Sequence, residues 1–186
     1  LTGYTAATYL RGIKFIQVPT TLLAQTDSSI GGKTGVDFRG YKNMVGAFHQ
    51  PSLVYMNMDT INTLDERQFL SGLGEVIKSA LIKDISLLDY IEEHTQEIIN
   101  KDTDVLTRIV TNSCIIKKGV VERDPKEFGE RALLNFGHTL GHAIEKCADF
   151  KILHGECVVL GMVAALKISL SRGLISEVDY NRVYEL

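Results

Sequence analysis

The apolar residues of this chain change their spacing near residue 65. Before that point, residues 14–18 and 51–56 form two short β-rich runs, each followed by threonines or other cap-forming residues. After it, strand signals stop and the apolar residues recur with the helical period. The pattern therefore predicts an α/β portion over residues 1–65, followed by an all-α portion over residues 66–186.

Three segments of the second portion carry clear helical signals. Residues 71–81 place Glu75 and Lys78 three positions apart on one helix face, where such a pair is usually an exposed ion pair but can also act as metal ligand and substrate clamp. A second helix starts near Asp102 and is expected to close at the lysine pair 117–118, because cations suit the carboxyl end of a helix. Residues 158–170 are apolar on nearly every side, which predicts a buried central helix.

Two histidines lie four residues apart in a segment of helical pattern. His138 and His142 would stand one above the other on a single helix face, and His154 follows shortly afterwards. Spacing alone makes the first two equivalent candidates for a metal site, with His154 and a carboxylate completing it. A chance pair of histidines is the alternative. Gly137 and Gly141 weaken such a helix, so either a ligand or tight helix packing must require close backbone approach there.

A glycine-rich segment, residues 27–35, resembles the end of a phosphate-binding Walker A loop. Gly32-Lys33-Thr34 matches the last positions, but Asp27 stands where the first glycine of that motif is required. The Walker A interpretation therefore fails. Backbone N–H groups beside the Lys33 ammonium can still hold an anion, and a solvated turn is the alternative.

Two further groups of polar residues follow the predicted strands. Thr20 and Thr21 come directly after the first strand, at the edge where α/β proteins bind ligands, although helix-capping threonines have the same pattern. Lys42 and Asn43 lie in a glycine-bounded segment, residues 40–49, which we expect to be a loop.

Composition narrows the classes of function. The chain has 186 residues, 45% of them hydrophobic and 23% charged, with a formal net charge of −3. Its basic residues are dispersed, so we expect no nucleic-acid partner. No apolar run reaches the roughly 18 residues of a membrane span, and the first residues lack a secretory signal. Three cysteines without a CxxC pair indicate reduced thiols and a cytoplasmic location.

Three long motifs occur in a fixed order: residues 19–34, 74–78 and 134–143. On these motifs, nearly the whole chain closely resembles the 3-dehydroquinate synthase family of sugar-phosphate cyclases. The resemblance implies that residues 1–65 are the C-terminal part of a Rossmann-like NAD-binding domain and that residues 66–186 are a truncated helical metal- and substrate-binding domain. It implies conversion of 3-deoxy-D-arabino-heptulosonate 7-phosphate, a phosphorylated keto-sugar acid, to 3-dehydroquinate and phosphate.

The resemblance also implies roles for individual residues. The ligands of Zn²⁺ or Co²⁺ would be Glu75, His138 and His154. His142 would face substrate instead, a distinction that spacing cannot make. The other substrate-contacting residues would be Asp27, Lys33, Asn43, Lys78, Lys117, Arg131 and Asn135. The NAD-contacting residues would be Thr20, Thr21, Lys33, Lys42, Thr60, Ile61, Asn62 and Thr63.

The same resemblance leaves alternatives for the chain as given. It starts after the position of the family's glycine-rich NAD fingerprint and ends before a further helical segment, so we expect weak or no NAD binding by this chain alone. The family expectation for assembly is a homodimer. A related sugar-phosphate cyclase, a metal- and NAD-dependent polyol dehydrogenase, and a non-catalytic metal-stabilised fragment are the competing hypotheses.

Overall fold

The structure is a computed structural model that describes residues 1–39, 41–125 and 127–186, with the side chain of Lys42 outside the description. Its first part is α/β and its second part is helical, as the change in apolar spacing predicted. The first long helix begins directly after Asp65, whose carboxylate accepts a hydrogen bond of 3.0 Å from the backbone N–H of Gln68. This cap satisfies one of the amide groups that a helix start leaves without a partner.

Two short parallel strands organise the first part. Helix α1 (Thr2–Thr8) is followed by a turn that Gly12 ends at φ 107°. Strand β1 (Ile16–Gln17) then pairs in parallel with β4 (Leu53–Val54). Both predicted strands are confirmed in place, although each is shorter than its β-rich run.

Between these strands lies an antiparallel hairpin, where the sequence analysis expected loops. Strand β2 (Lys33–Phe38) pairs with β3 (Tyr41–Phe48), with an irregularity in register between Val36 and Phe38. The loop prediction was wrong because the hairpin lacks a buried apolar face: Phe38 is 54% exposed. Its pairing rests on ladder hydrogen bonds and on the close approach of Gly46, where an added Cβ would lie 2.4 Å from a carbonyl oxygen of β2.

The second part consists of seven helices within the described residues, and the first four share a core with the α/β part. They are α2 (Glu66–Lys83), α3 (Ile85–Glu93), α4 (Thr95–Ile99), α5 (Thr103–Arg123), α6 (His138–Cys147), α7 (His154–Ser171) and α8 (Glu177–Glu185). Leu22 and Ile61, from the connections after β1 and β4, are fully buried in the same cluster as Phe69, Val76 and Ile109. Burial of each such side chain stabilises the fold by roughly 1.5–3 kcal/mol. The two parts are thus packed together through one core.

Two predicted helix limits need correction. Helix α2 begins at Glu66, ahead of the glycine-containing segment that was expected to open it. Helix α5 does not close at Lys117 but continues to Arg123, with Asp102 as its cap. Lys117 is buried, so its charge is not a complement to an exposed helix end.

Helix α7 is a central helix only in its first half. In that half Cys157, Val158 and Met162 are buried between α2 and α6, but Leu160 on another side is 47% exposed, and in the second half Ile168 is 46% exposed. The helix is thus buried on one side only, even in its first half. The prediction of a helix buried on all sides was therefore wrong. By length and composition, α7 is the one helix in the described part of the chain that could cross a membrane. A single helix of this kind is weak evidence, because core helices meet the same criterion.

Candidate metal and substrate site

Backbone contact between α6 and α7 brings the histidines together. A Cβ added to Gly137, which has φ 78°, would lie 2.6 Å from the carbonyl oxygen of Val158. A Cβ on Gly141 would lie 2.8 Å from the carbonyl oxygen of Cys157. These glycines therefore serve tight helix packing, which was one of the two interpretations that the sequence left open.

The start of α7 is fixed against α2 in the same way. A Cβ on Gly155 would lie 1.8 Å from the carbonyl oxygen of Ser71, and the N–H of Gly155 donates a hydrogen bond of 3.1 Å to Oγ of Ser71. Nearby, the guanidinium of Arg67 binds both carboxylate oxygens of Glu156 at 2.7 and 2.8 Å. The first turn of α7, and with it His154, is thus held on α2.

A carboxylate and two imidazoles converge at this three-helix contact. Oε1 of Glu75 lies 3.6 Å from Nε2 of His138 and 3.6 Å from Nε2 of His154. Glu75 is 1% exposed, and its Oε1 has no hydrogen-bond partner among the described residues. Donors that bind one tetrahedral zinc at about 2.1 Å stand roughly 3.4 Å apart. An orphaned buried carboxylate oxygen at this spacing fits a divalent metal such as zinc.

His142 stands beside the same point. Its ring centroid lies 5.3 Å from that of His138 and 5.6 Å from that of His154, and the ligand atoms of the three histidines lie within 4.8 Å of one another. Unlike the other two, His142 is exposed. The geometry is compatible both with a fourth donor and with a group that faces substrate, so the role of His142 stays a prediction.

Among the candidate metal ligands Glu75, His138 and His154, the electrostatics of His138 favour metal ligation. Burial raises the pKa of Glu75, which the neighbouring Lys78 ammonium opposes. Burial lowers the pKa of His138 to about 4, and the charge of Lys78 acts in the same direction. His138 is therefore neutral at physiological pH, which is the form that binds a metal. Lys78 forms an ion pair with Oε2 of Glu75 inside the protein, which excludes the exposed ion pair that helical spacing most often indicates.

Glu145 is a residue of this site that the sequence analysis missed. It is 5% exposed, and its Oε2 lies 3.8 Å from Nδ1 of His154, an atom without a hydrogen-bond partner among the described residues. Metal-bound histidines commonly donate their other N–H to a carboxylate. A signal existed in the sequence, because Glu145 is seven residues after His138 and shares its helix face.

A second charged pair lies next to the candidate metal ligands Glu75 and His138. Nζ of Lys117 is 2.6 Å from Oδ1 of Asp27, which is presented by a π-helical turn, Ala24–Ser28. Burial would raise the pKa of Asp27, but the charges of Lys117 and Lys78 hold it below its usual value. Burial lowers the pKa of Lys117, against the attraction of Asp27. The structure thus brings Asp27, Lys78 and Lys117 together beside Glu75. Their predicted contacts with substrate stay a prediction.

The glycine-rich segment packs against the side chain of Arg131 and does not form a phosphate-binding loop of the Walker A type. Gly31 has φ 104°, and a Cβ there would lie 2.6 Å from Nη2 of Arg131. Arg131 is 2% exposed and donates to the carbonyl oxygens of Gly31 (3.4 Å) and Pro125 (2.8 Å). In this structure its guanidinium therefore joins two loops. Lys33, at the start of β2, forms an ion pair with Glu127, which also accepts a hydrogen bond from Asn135.

Asn43 lies apart from these groups in the described contacts. It is exposed on β3 with φ 56°, and its backbone N–H donates to Oδ1 of Asp37 at 2.8 Å. The neighbouring Lys42 side chain falls outside the described residues, so its predicted NAD contact has no structural account.

Most of the candidate NAD residues lie on two connections, the one that follows β1 and the one that follows β4. Gln25 joins these two connections by hydrogen bonds. Nε2 of this fully buried glutamine donates to the carbonyl oxygen of Pro19 (3.4 Å) and to Oγ1 of Thr60 (3.3 Å). Thr20 is exposed, while Oγ1 of Thr21 accepts a hydrogen bond of 3.2 Å from a backbone N–H in the next turn, as a helix cap does. Sequence reasoning missed Gln25, since nothing in its pattern distinguishes it from a surface residue.

On the second connection, only part of the predicted set is accessible. Asn62 and Thr63 are exposed, whereas the side chain of Ile61 is fully buried in the core. Any contact of Ile61 with NAD would therefore be made by its backbone, and the predicted contact stays a prediction. Ile61 is the apolar anchor of the turn Met58–Thr63.

Comparisons with known proteins indicate the same family along the whole chain. A family model described as 3-dehydroquinate synthase N-terminal matches residues 1–71, and one described as 3-dehydroquinate synthase C-terminal matches residues 72–186. The 3-dehydroquinate synthase of Acetivibrio thermocellus is 55% identical over 98% of this chain and 51% of its own length. That of Ruminiclostridium cellulolyticum is 53% identical over 100% and 52%. The chain thus spans about half the length of the curated relatives it matches.

Solved structures show the same architecture. ValA, a 2-epi-5-epi-valiolone synthase from Streptomyces hygroscopicus subsp. jinggangensis 5008 with NAD⁺ and Zn²⁺ bound, superposes with a TM-score of 0.93 at 32% identity, over 99% of this chain and 52% of that protein. A 2-deoxy-scyllo-inosose synthase complexed with carbaglucose-6-phosphate, NAD⁺ and Co²⁺ gives a TM-score of 0.87 at 30% identity, over 98% and 50%.

Proposed function

Because the chain belongs to the 3-dehydroquinate synthase family, we propose that the full-length enzyme converts 3-deoxy-D-arabino-heptulosonate 7-phosphate to 3-dehydroquinate and inorganic phosphate. The observation that carries this proposal is the buried Oε1 of Glu75, which faces Nε2 of both His138 and His154 and lies next to buried lysines. A metal site surrounded by cations suits a substrate that bears a phosphate, a carboxylate and vicinal hydroxyls.

The metal ligands in this proposal are Glu75, His138 and His154. A divalent metal at this point would lower the pKa of a bound hydroxyl and polarise a carbonyl. Zn²⁺ or Co²⁺ fits two imidazoles and one carboxylate, and these are the metals in the two structural neighbours. Three protein donors leave positions open for substrate oxygens.

The substrate-binding residues in this proposal carry complementary charge. Lys78 and Lys117 are buried cations beside the metal candidates, and Asp27 keeps a negative charge between them. A carboxylate so placed can accept a proton or a hydrogen bond from a substrate hydroxyl. Lys33, Arg131, Asn135 and His142 would bind the anionic groups, and Asn43 would join them from the hairpin.

The cofactor in this proposal is NAD, which supplies hydride transfer, as both neighbours are solved with it. Thr20, Thr21, Thr60, Asn62 and Thr63 would contact it from the two connections that Gln25 joins. Residues 1–65 would then belong to the NAD-binding domain and residues 66–186 to the metal- and substrate-binding domain. For the full-length protein we propose a homodimer in the cytoplasm.

The test supplies the full-length enzyme with the keto-sugar phosphate, NAD and a divalent metal, and follows inorganic phosphate together with absorbance of NADH. The cyclase releases phosphate without net NADH, because the cofactor is reduced and then reoxidised. Net NADH without phosphate release would identify a polyol dehydrogenase instead and contradict the proposal.

A further inference from the structure

The carboxylate of Glu127 holds two groups that the proposed function assigns to substrate. Its Oε2 forms an ion pair with Nζ of Lys33, and its Oε1 accepts a hydrogen bond of 2.8 Å from Nδ2 of Asn135. Burial opposes the ionisation of Glu127, but Lys33, Asn135 and the charge of Arg131 lower its pKa. Glu127 is therefore a carboxylate at neutral pH.

The two groups that Glu127 binds, Lys33 and Asn135, together with the nearby charge of Arg131, form an anion site by their chemistry. An ammonium, an amide N–H and a guanidinium are the donors that bind phosphate and carboxylate oxygens most strongly. An anionic ligand that uses Lys33 and Asn135 would face Glu127 at close range, and two like charges disfavour each other there. The ligand and the Glu127 carboxylate therefore compete for the same donors.

We propose that Glu127 is a built-in competitor that occupies the substrate's anion site in the free enzyme and leaves Lys33 and Asn135 when the phosphorylated substrate binds. The proposal rests on the proposed function for the roles of these two residues. It makes Glu127 a determinant of specificity: a strongly charged substrate displaces it, whereas a weakly charged sugar does not.

The surroundings of Glu127 suit such an exchange. The side chain of Glu127 is 24% exposed and that of Lys33 is 51% exposed, so the pair contributes little to stability and can separate into solvent. Glu127 also adopts φ 63°, a left-handed conformation that is uncommon outside glycine. Asp124 supports this turn by accepting hydrogen bonds from the backbone N–H groups of Phe128 (2.9 Å) and Gly129 (2.8 Å).

The test measures binding of inorganic phosphate to the full-length, NAD- and zinc-loaded enzyme by titration calorimetry. Glu127→Gln removes the competing charge with little change in shape, and we expect phosphate to bind about three- to tenfold more tightly. Glu127→Asp shortens the carboxylate but keeps its charge, so we expect a gain of about twofold or less. Lys33→Ala should lose phosphate affinity, because it removes the ammonium of the site.

Glu130→Gln is the matched control. Glu130 lies in the same connection and loses the same charge, but its carboxylate binds Arg123 (2.7 Å) and Lys83 (2.5 Å) rather than the proposed substrate groups. We expect its phosphate affinity to stay within about twofold of the wild type. Equal tightening in Glu127→Gln and Glu130→Gln would reduce the effect to net charge and overturn the proposal.

The remaining outcomes separate this proposal from the proposed function. Unchanged or weaker phosphate binding in Glu127→Gln, with affinity lost in Lys33→Ala, would overturn the competitor role alone. Unchanged binding in Lys33→Ala would remove Lys33 from the anion site and overturn the competitor role together with the assigned role of Lys33. The cyclase reaction itself is decided separately, by phosphate release without net NADH. Thermal unfolding of each variant identifies any loss of binding that comes from loss of fold.

Discussion

The candidate metal site (Glu75, His138 and His154) and the anion site around Glu127 are built in opposite ways. Glu75 and Lys78 are buried on α2, which touches α7 at glycine backbones, so close packing surrounds their side chains. Lys33 and Glu127 lie on a hairpin and a connection, and their pair is partly exposed. The difference indicates that the metal side is organised before substrate arrives, whereas the anion side exchanges its partners on binding.

The largest expected effect breaks the helix contact itself. Gly161→Ala would place a Cβ 1.9 Å from the carbonyl oxygen of Gly137, so α6 and α7 must separate. We expect destabilisation of about 3 kcal/mol or more together with loss of bound metal. Thermal unfolding and plasma mass spectrometry check both. Gly35→Ala is the control, because its nearest new contact is 3.5 Å away, an ordinary van der Waals distance; equal destabilisation in both variants would contradict this account.

The next effect distinguishes the histidines that bind the metal from the one that faces substrate. His138→Ala leaves two of three proposed ligands and should lose most bound metal. His142→Ala should retain metal but lose turnover, with a defect that added zinc does not restore. Metal analysis and phosphate release on both purified full-length variants decide the point. If both variants lose metal to the same extent, His142 is a ligand and its predicted role is wrong.

A smaller effect is expected at Glu145, which would act on the metal through His154. Glu145→Leu removes the carboxylate 3.8 Å from Nδ1 of His154 and should weaken zinc affinity about 10- to 100-fold. Glu145→Gln keeps an acceptor oxygen and should recover part of that loss. Competition with a chelator measures both affinities without reference to turnover. Equal affinities in wild type and Glu145→Leu would show that the carboxylate does not support the ligand.

The smallest expected effect is a pH-dependent stability difference at Asp124, which supports the turn that carries Glu127. Hydrogen bonds from the backbone N–H groups of Arg131, Phe128 and Gly129 lower the pKa of Asp124 against a small opposing effect of burial. A lowered pKa means that this stabilisation is complete above the unfolded value, about 3.9, and is lost as pH falls through the lower folded value.

Asp124→Asn should therefore be less stable than wild type at neutral pH, and the difference should shrink as pH falls from about 5 to about 3. Thermal unfolding midpoints across this range provide the measurement. Asp37→Asn is a suitable companion, because among the described residues of the hairpin Asp37 accepts one backbone hydrogen bond, from Asn43. A difference between Asp124→Asn and wild type that does not vary with pH would contradict the capping role.

Local sequence was sufficient for several elements and for part of the site. Asp102 carries a cap signal that acts over one helical turn, so the start of α5 was predicted near it, whereas α2 begins at Glu66, ahead of residues 71–81 in which its helical signal was recognised. The spacing of His138 and His142 on one face was predictable for the same reason. The family motifs added Glu75 and Lys78 to this set, although helical spacing alone most often indicates an exposed pair.

Other features were decided only by tertiary structure. The hairpin β2–β3 has no buried face and so leaves no apolar alternation in the sequence. Lys117 is distinguished from a cation at a helix end only by the turn that carries Asp27. The contacts of Glu127 with Lys33 and Asn135, and of Glu145 with His154, join elements that packing alone brings together.

The physical reason lies in the range of each interaction. Helix periodicity and caps depend on neighbours within a few residues, so the sequence by itself determined the α/β-then-helical order and the helix faces that carry the histidines. Burial and charge pairing depend on which surfaces meet. Whether the Glu75 carboxylate is exposed or faces two imidazoles inside the protein was decided only when Gly155 and Gly161 allowed α7 to contact α2 and α6.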